Sequence, residues 1–366
     1  MREVGDHGAI THSADDVRRA ASDVLAIEDV TEGIDPGNSV RVRGRLLLPA
    51  DDAWQRLNDR LRPLGWTPWL RQRAEADGTE LLAMPVTFGD RPTRVLLPAI
   101  LFVLTVLSCL FTGAQMVEGL TEINLNLLDG VPFTAALLGI LTAHEFGHYL
   151  VARHYGSPTS LPYFIPMPFP VGPFGTMGAV ITAGAPIRNK RHLLAIGAAG
   201  PVAGLLVTIP VLLLGLHLSR LEPLPAGGYW IEGNSILYAA LKYAVFGQLL
   251  PSGGMDVIIH PVAFAGWAGL LVTGLNLIPV GQLDGGHIAY ALLGARRART
   301  LGWVALVGLA LLTFRWQGWL LWLGLLLLFG RVQDTLMDDI TELTDRQRVF
   351  ALGMLVVLVL VFVPIP

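Results

Sequence analysis

His144-Glu145-Phe146-Gly147-His148 lies inside an apolar run that begins near Val131 and continues to about Ala152. A run of that length spans a bilayer as a helix. A carboxylate at membrane depth costs roughly 2.5–3.5 kcal/mol on insertion scales, so a Glu flanked by two His at that depth is a functional site by default. On a helix, His144 and His148 stand one turn apart on the same face, the spacing at which two imidazoles grip one Zn2+. Glu145 sits beside them as the candidate general base. The competing reading is a pair of polar residues satisfied in a buried helix of a soluble protein, and the length of the run argues against it.

Composition agrees with a membrane protein. Hydrophobic residues make up 52% of the chain and charged residues 15%, far from a soluble globular domain. The net charge of −3 comes with no basic tract, so no nucleic-acid partner is expected. The single cysteine, Cys109, excludes an intrachain disulfide and a thiolate zinc site. The first ninety or so residues carry no apolar stretch long enough for a signal peptide, so a soluble N-terminal region is expected in the cytosol.

Residues 1–38 are acidic and without periodicity (Asp15, Asp16, Asp23, Glu28, Asp29, Glu32) and read as a mobile tail. Residues 39–92 read as a small cytosolic α+β domain. In it, Val40–Leu48 is strand-like, Pro49-Ala50-Asp51-Asp52 opens a helix with Trp54, Leu57 and Leu61 on one face, and two short strands flank Asp77-Gly78. Its expected role is regulation or interaction, set against that of a mere appendage.

The remainder, 93–366, reads as an α-helical polytopic membrane domain. Apolar spans fall near 95–113, 131–153, 193–216, 260–280, 301–314, 317–330 and 348–364. Merging the short fifth and sixth gives six spans, keeping them apart gives seven, and seven is preferred because six leaves Arg346 on the wrong side. Most Lys and Arg between spans, including Arg153, Arg188, Lys190, Arg191, Arg296, Arg297 and Arg299, fall on one side if the spans alternate. The positive-inside rule puts that side and the N-terminus in the cytosol. The metal motif then lies roughly 10 Å in from the cytosolic face.

Two His leave a tetrahedral site short of a protein ligand, with a fourth position for water. The candidate third ligand is Asp284, in Asn276-Leu277-Ile278-Pro279-Val280-Gly281-Gln282-Leu283-Asp284-Gly285-Gly286-His287, where a span is broken by proline and glycine. Irregular backbone at membrane depth is tolerated only where protein or a water-filled cavity satisfies it. Asp284 can turn its carboxylate to the metal there, or it can simply cap the helix that follows. The residues alone leave both open.

HEFGH in one span and NLIPVGQLDGG in a later one together resemble the site-2 protease family of intramembrane zinc metalloproteases. The likeness extends over GTMGAVITAGAPIRNK, GAAGPVAG and HPVAFAGWAGLLVTGLNLIPVGQLDGGH, and is nearest the subgroup typified by plant chloroplast EGY-type proteases and their prokaryotic relatives. The resemblance implies that His144, His148 and Asp284 bind zinc and that Glu145 is the catalytic base. It also implies that Gly175, Thr176, Met177 and Gly178, after a proline-rich stretch, form a re-entrant β-like loop that pairs with an unwound substrate. The plain alternative is a cytosolic loop with proline turns. Asn276 is expected to polarise the scissile carbonyl or steady the oxyanion, or else only to bond backbone freed near Pro279. His287 is either a partner supporting Asp284 or an ordinary polar residue at a helix start. One departure is Gly204 in Gly200-Pro201-Val202-Ala203-Gly204, where some bacterial relatives carry Asn; small residues four apart suit close helix packing.

The expected function is zinc-assisted hydrolysis of peptide bonds in or near the transmembrane segments of membrane-protein substrates, in the lipid bilayer. The rivals are a non-hydrolytic client-binding scaffold, which the presence of Glu145 disfavours, and a zinc transporter, which needs ligands stacked at several depths. An integral, multi-pass protein of a prokaryotic plasma membrane is expected. Substrate, cleavage position and oligomeric state are not legible.

Overall fold

Ser13 caps a short helix, α1 (Ala14–Ala21), by accepting the Asp15 amide, and the acidic Asp15 and Asp16 fill the first turn, where the helix dipole favours them. From here the computed structural model describes residues 13–33, 38–73, 78–88, 95–118, 123–224, 232–330 and 335–366. After α1 come β1 (Leu25–Glu32), β2 (Val40–Leu46), α2 (Ala50–Leu61), β3 (Thr67–Gln72) and β4 (Thr79–Met84). The strands form one antiparallel sheet in the order β1-β2-β4-β3. Period-two alternation turns Val40 and Val42 of β2 and Leu81 and Ala83 of β4 inward. They share a core with Val17 and Ala21 of α1 and Leu57 and Leu61 of α2.

This part of the chain differs from the sequence expectation in two ways. The stretch expected to be a mobile tail contains α1 and β1: Val17, Ala21, Val24 and Leu25 are buried, and the acidic residues lie on the outer sides of the elements. Its first twelve residues, and Asp77 of the expected hairpin turn, lie outside the described residues. The unit is also not purely N-terminal. It joins Met1–Arg91 to two distant stretches, Gly184–His192 and Asp334–Leu343, both expected to belong to the membrane domain. Leu70 on the edge of β3 donates its amide to Met337 and accepts from Asp339, while Met337 and Asp338 donate to Ile187 and Arg188. The Arg188 guanidinium stacks 4.6 Å above the Trp54 ring and donates to the Asp51 carbonyl and Gln55. Asp338 is fully buried, and its carboxylate accepts from the amides of Ile340 and Thr341 and from the Thr341 hydroxyl.

The second unit comprises Pro92–Ala183, Leu193–Gln333 and Thr344–Pro366. Its helices are α3 (Leu96–Glu118), α4 (Val131–His154), α5 (Lys190–Leu218), α6 (Ile236–Phe246), α7 (Pro261–Asn276), α8 (Asp284–Leu312), α9 (Trp319–Phe329) and α10 (Asp345–Val361). Two hairpins interrupt them: β5 (Tyr163–Met167) with β6 (Gly175–Val180), and β7 (Arg220–Pro223) with β8 (Met255–Ile258). Among the described residues, Leu96–Met116, Leu127–His154 and Lys190–Leu218 are long and apolar enough to cross a membrane, and α6, α7 and Trp319–Leu328 are shorter apolar helices. The sequence pattern did not single out α6. The helix expected after Asp284 and the fifth span near 301–314 are both parts of α8, which is broken between them at Gly294, whose φ of 77° and ψ of 166° are not helical. The expected span near 260–280 ends as a helix at Asn276, because Pro279 follows.

Small residues bring the helices around α4 close together. A Cβ at Gly147 would stand 2.6 Å from the Ala199 carbonyl of α5, so α4 and α5 touch backbone to backbone just where the HEFGH motif lies. On the other side Gly269 of α7 admits the Ile140 side chain of α4.

Candidate metal centre

Helical geometry puts His144 and His148 on one face of α4, and their rings meet edge to face with centroids 5.0 Å apart. Asp284 reaches them from the first residue of α8. The N-cap of α8 is Leu283, with no side-chain capping bond, so Asp284 does not act as the cap. Its carboxylate points instead at the two imidazoles, with Oδ2 3.3 Å from His144 Nε2 and Oδ1 3.3 Å from His148 Nε2. The two Nε2 atoms are 3.2 Å apart.

Those three separations test whether a metal fits. Ligands about 2.0–2.1 Å from a tetrahedral ion stand about 3.3–3.4 Å from one another; here the two Nε2 atoms are 3.2 Å apart and each is 3.3 Å from its own oxygen of the Asp284 carboxylate. Two imidazole nitrogens and a carboxylate oxygen form the donor set preferred by a borderline-soft divalent cation with one position left open. The residues present fit a Zn2+ ion.

The imidazoles are held from behind. His148 Nδ1 lies 2.7 Å from the Ile196 carbonyl of α5, which can only accept, so the proton sits on Nδ1 and the Nε2 lone pair faces the other ligands. Gly200 and Gly204 of α5 make room for the rings: a Cβ would stand 2.0 Å from His148 Nε2 at the first and 3.1 Å from His144 Nδ1 at the second. Their four-residue spacing was readable as close packing, and what they admit is the imidazole rings of His148 and His144. The contribution of Ile196 is a backbone carbonyl and left no mark in the side-chain sequence.

Glu145 is buried on α4 next to His144. The Asn276 amide, at the last residue of α7, stands 3.2 Å from His144 Nε2 and so belongs to the same cluster. His287 lies one turn past Asp284 with its Cβ close over Gly197, outside the three-ligand set. Gly175, Thr176, Met177 and Gly178 are on β6, not in the ligand set. There the pairing slips between Phe164 and Pro166, so that Met177 and Gly178 oppose Ile165 alone. Gly178 takes a positive φ of 98°, and the Thr176 hydroxyl closes the bulge by donating to the Ile165 carbonyl and accepting the Gly178 amide. Met177 is 57% exposed.

The sequence profile described as Peptidase family M50 matches residues 132–314, which include every residue of this cluster. Over 197 residues the chain is 35% identical to the probable zinc metalloprotease EGY2, chloroplastic, of Oryza sativa subsp. indica, covering 52% of this chain and 34% of that protein. The Arabidopsis thaliana protein of the same name is 33% identical over 196 residues, again 52% and 34%. The probable zinc metalloprotease EGY1, chloroplastic, of Oryza sativa subsp. japonica is 29% identical over 323 residues, covering 76% of this chain and 53% of it. The chain thus spans between a third and about half the length of these relatives. No solved structure matches.

Proposed function

The chain belongs to peptidase family M50, the site-2 protease family, and from that premise we propose that it is an intramembrane zinc metalloprotease that hydrolyses peptide bonds within or near the transmembrane segments of membrane proteins. The observation that carries this reading is the convergence of His144 Nε2, His148 Nε2 and the Asp284 carboxylate, which sets one oxygen 3.3 Å from each nitrogen, beside a buried Glu145.

Zinc bound by His144, His148 and Asp284 supplies Lewis acidity, polarising a carbonyl and making a water more acidic. Glu145 takes a proton from the attacking water as its oxygen bonds to the carbonyl carbon, and returns that proton to the amide nitrogen as the C–N bond breaks. Asn276 offers its amide N–H to the carbonyl oxygen as negative charge builds there. The Ile196 carbonyl fixes the ring of His148, and His287 steadies the start of α8 against α5. The Gly175–Gly178 stretch of β6, exposed at Met177, presents backbone to which an unwound substrate adds as a strand. Helical substrates hide the amide bonds that such pairing lays open.

Seven crossings are supported by the make-up of the first unit. Its three pieces, ending near Phe88, spanning Gly184–His192 and spanning Asp334–Leu343, are hydrogen-bonded into one fold and must lie on one side of the bilayer. An even number of crossings then separates each from the next. This reading assigns α3 and α4 to the first interval and α5, α7, the part of α8 past Gly294, and α9 to the second, leaving α6 outside the crossings. Merging the fifth and sixth spans leaves an odd number. The arginines around the unit support a cytosolic location for it. The chloroplastic relatives support an integral membrane protein but not the prokaryotic plasma membrane expected from the sequence.

The test is cleavage of single-span substrates by the purified protein in detergent. Activity abolished by a zinc chelator and restored by zinc is expected. Activity indifferent to the chelator would contradict the reading.

A further inference from the structure

One polar stripe runs down α3, an otherwise apolar helix: Thr105, Ser108, Thr112 and Gln115, all buried, at three- and four-residue spacing. Thr105 donates to its own helix, at the Leu101 carbonyl. Gln115 ties α3 to the entry of α4 through the Asn124 backbone. The two between them reach the hairpin. Ser108 Oγ donates to the Gly175 carbonyl at 2.6 Å, at the first residue of β6. Thr112 Oγ1 donates to the Ser108 carbonyl at 2.9 Å and accepts the Phe169 amide at 3.2 Å, just past the end of β5.

The hairpin tip is therefore tied to α3 on both of its strands. Gly175 makes the approach possible, since its φ is +77° and a Cβ there would come within 2.6 Å of Cys109 Cα. The Sγ of Cys109, the one cysteine of the chain, lies 3.6 Å from the Phe174 carbonyl.

The attachment point is far from the metal centre. Phe174 packs on Phe264 of α7, centroids 5.8 Å apart, and Phe264 stacks on Phe133 near the start of α4 at 6.1 Å. From Phe133 to His144 along α4 is about 16 Å at 1.5 Å per residue. The hairpin base lies toward the other end of α4, where Thr159 pairs with Ala183 and Ser157 bonds the Ala152 carbonyl. From first to last the six residues of β6 rise about 16 Å, comparable to the rise along α4 from Phe133 to His144. A strand of fixed length hung from a fixed point has one vertical register against the metal.

We infer that Ser108 and Thr112 are positioning residues that set the depth of β6 and thereby select which peptide bond of a bound substrate strand meets the metal centre. This rests on the protease reading above. Neither residue touches the reacting atoms. Without their bonds the hairpin slides along α3, and the bond presented for cleavage changes.

Ser108→Ala, Thr112→Val, the double variant and the conservative Ser108→Thr test this, with two readouts. The first is the cleavage position in a single-span substrate, mapped by mass spectrometry, together with KM and kcat. Wild type and Ser108→Thr should cut at one position. Each single variant should raise KM about two- to tenfold, the range set by one lost neutral hydrogen bond, with kcat changed less, and the double variant should add cuts one or two residues away. The second readout is alkylation of Cys109 by a membrane-permeant maleimide, which needs no activity. It should be slow in wild type and Ser108→Thr and several-fold faster in both single variants and the double. An unchanged cut site with unchanged labelling would overturn the inference. If wild type cleaves nothing, the protease reading fails by itself, and the labelling rates still decide whether these side chains hold the hairpin: equal rates in all variants overturn that, faster rates in the alanine and valine variants support it.

Discussion

His148 gives its Nδ1 proton to the Ile196 carbonyl, 2.7 Å away, and in consequence turns Nε2 to within 3.3 Å of Asp284 Oδ1. One helix thus orients the imidazole that a second helix carries toward a third. The site depends as much on the backbone of α5 as on the motif residues.

The first prediction concerns that backbone. Gly200→Ala puts a methyl group where His148 Nε2 stands, 2.0 Å from the new carbon. Zinc affinity should fall about 10–100-fold, the range seen when groups that orient a ligand are disturbed, and zinc content by elemental analysis checks it. Gly139→Ala, on α4 with nothing within 4 Å, should keep its zinc.

Asp284→Asn removes the one charged ligand while leaving nearly the same shape. Zinc binds only the folded site, so it should raise the melting temperature of metal-stripped wild type in detergent. In Asp284→Asn that rise should shrink or vanish at the same zinc concentration. Thermal scans with and without zinc decide it, and an equal rise in both proteins would remove Asp284 from the ligand set.

Much of this was readable beforehand, and the reasons differ by residue. His144 and His148 stood out because polar groups at that spacing in an apolar run have no cheap structural use. Asp284 could be paired with them only through the likeness of two distant motifs; from its own surroundings a helix cap was as good, and only the direction of its carboxylate separates the two. The supporting groups were hidden for another reason. Ile196 acts through a carbonyl that every residue has, and Ser108 and Thr112 look like ordinary small residues of a membrane helix until their partners are known. The first unit was misjudged at both ends: α1 has only eight residues, too few for periodicity to register, and Arg188 and Asp338 complete the unit from positions far along the chain.

Asp338 gives the third prediction. Its buried carboxylate accepts bonds from Ile340, Thr341 and the Thr341 hydroxyl. Asp338→Ala strands those donors and should destabilise the first unit by about 1–3 kcal/mol. Limited proteolysis of the full chain should then cut within the first unit sooner, while zinc content stays at the wild-type level.

A fourth prediction is a pH dependence. Arg60 donates both arms to the exposed Asp23 carboxylate, holding it down at about 2 from an ordinary 3.8. The folded form therefore binds its proton more weakly than the unfolded one. The stabilisation is complete above 3.8 and is lost as pH falls through about 2. Because the pair is exposed the effect is small. Carboxyl titration by NMR should show the low midpoint, and Arg60→Ala should return it toward the ordinary value.

The most direct measurement compares wild type with Glu145→Gln for bound zinc and for cleavage of transmembrane-segment substrates in the same preparations. Equal zinc in both, with cleavage confined to wild type, is the predicted result, since in the proposed mechanism Glu145 moves the proton but does not hold the metal. Equal cleavage by both proteins would contradict the account.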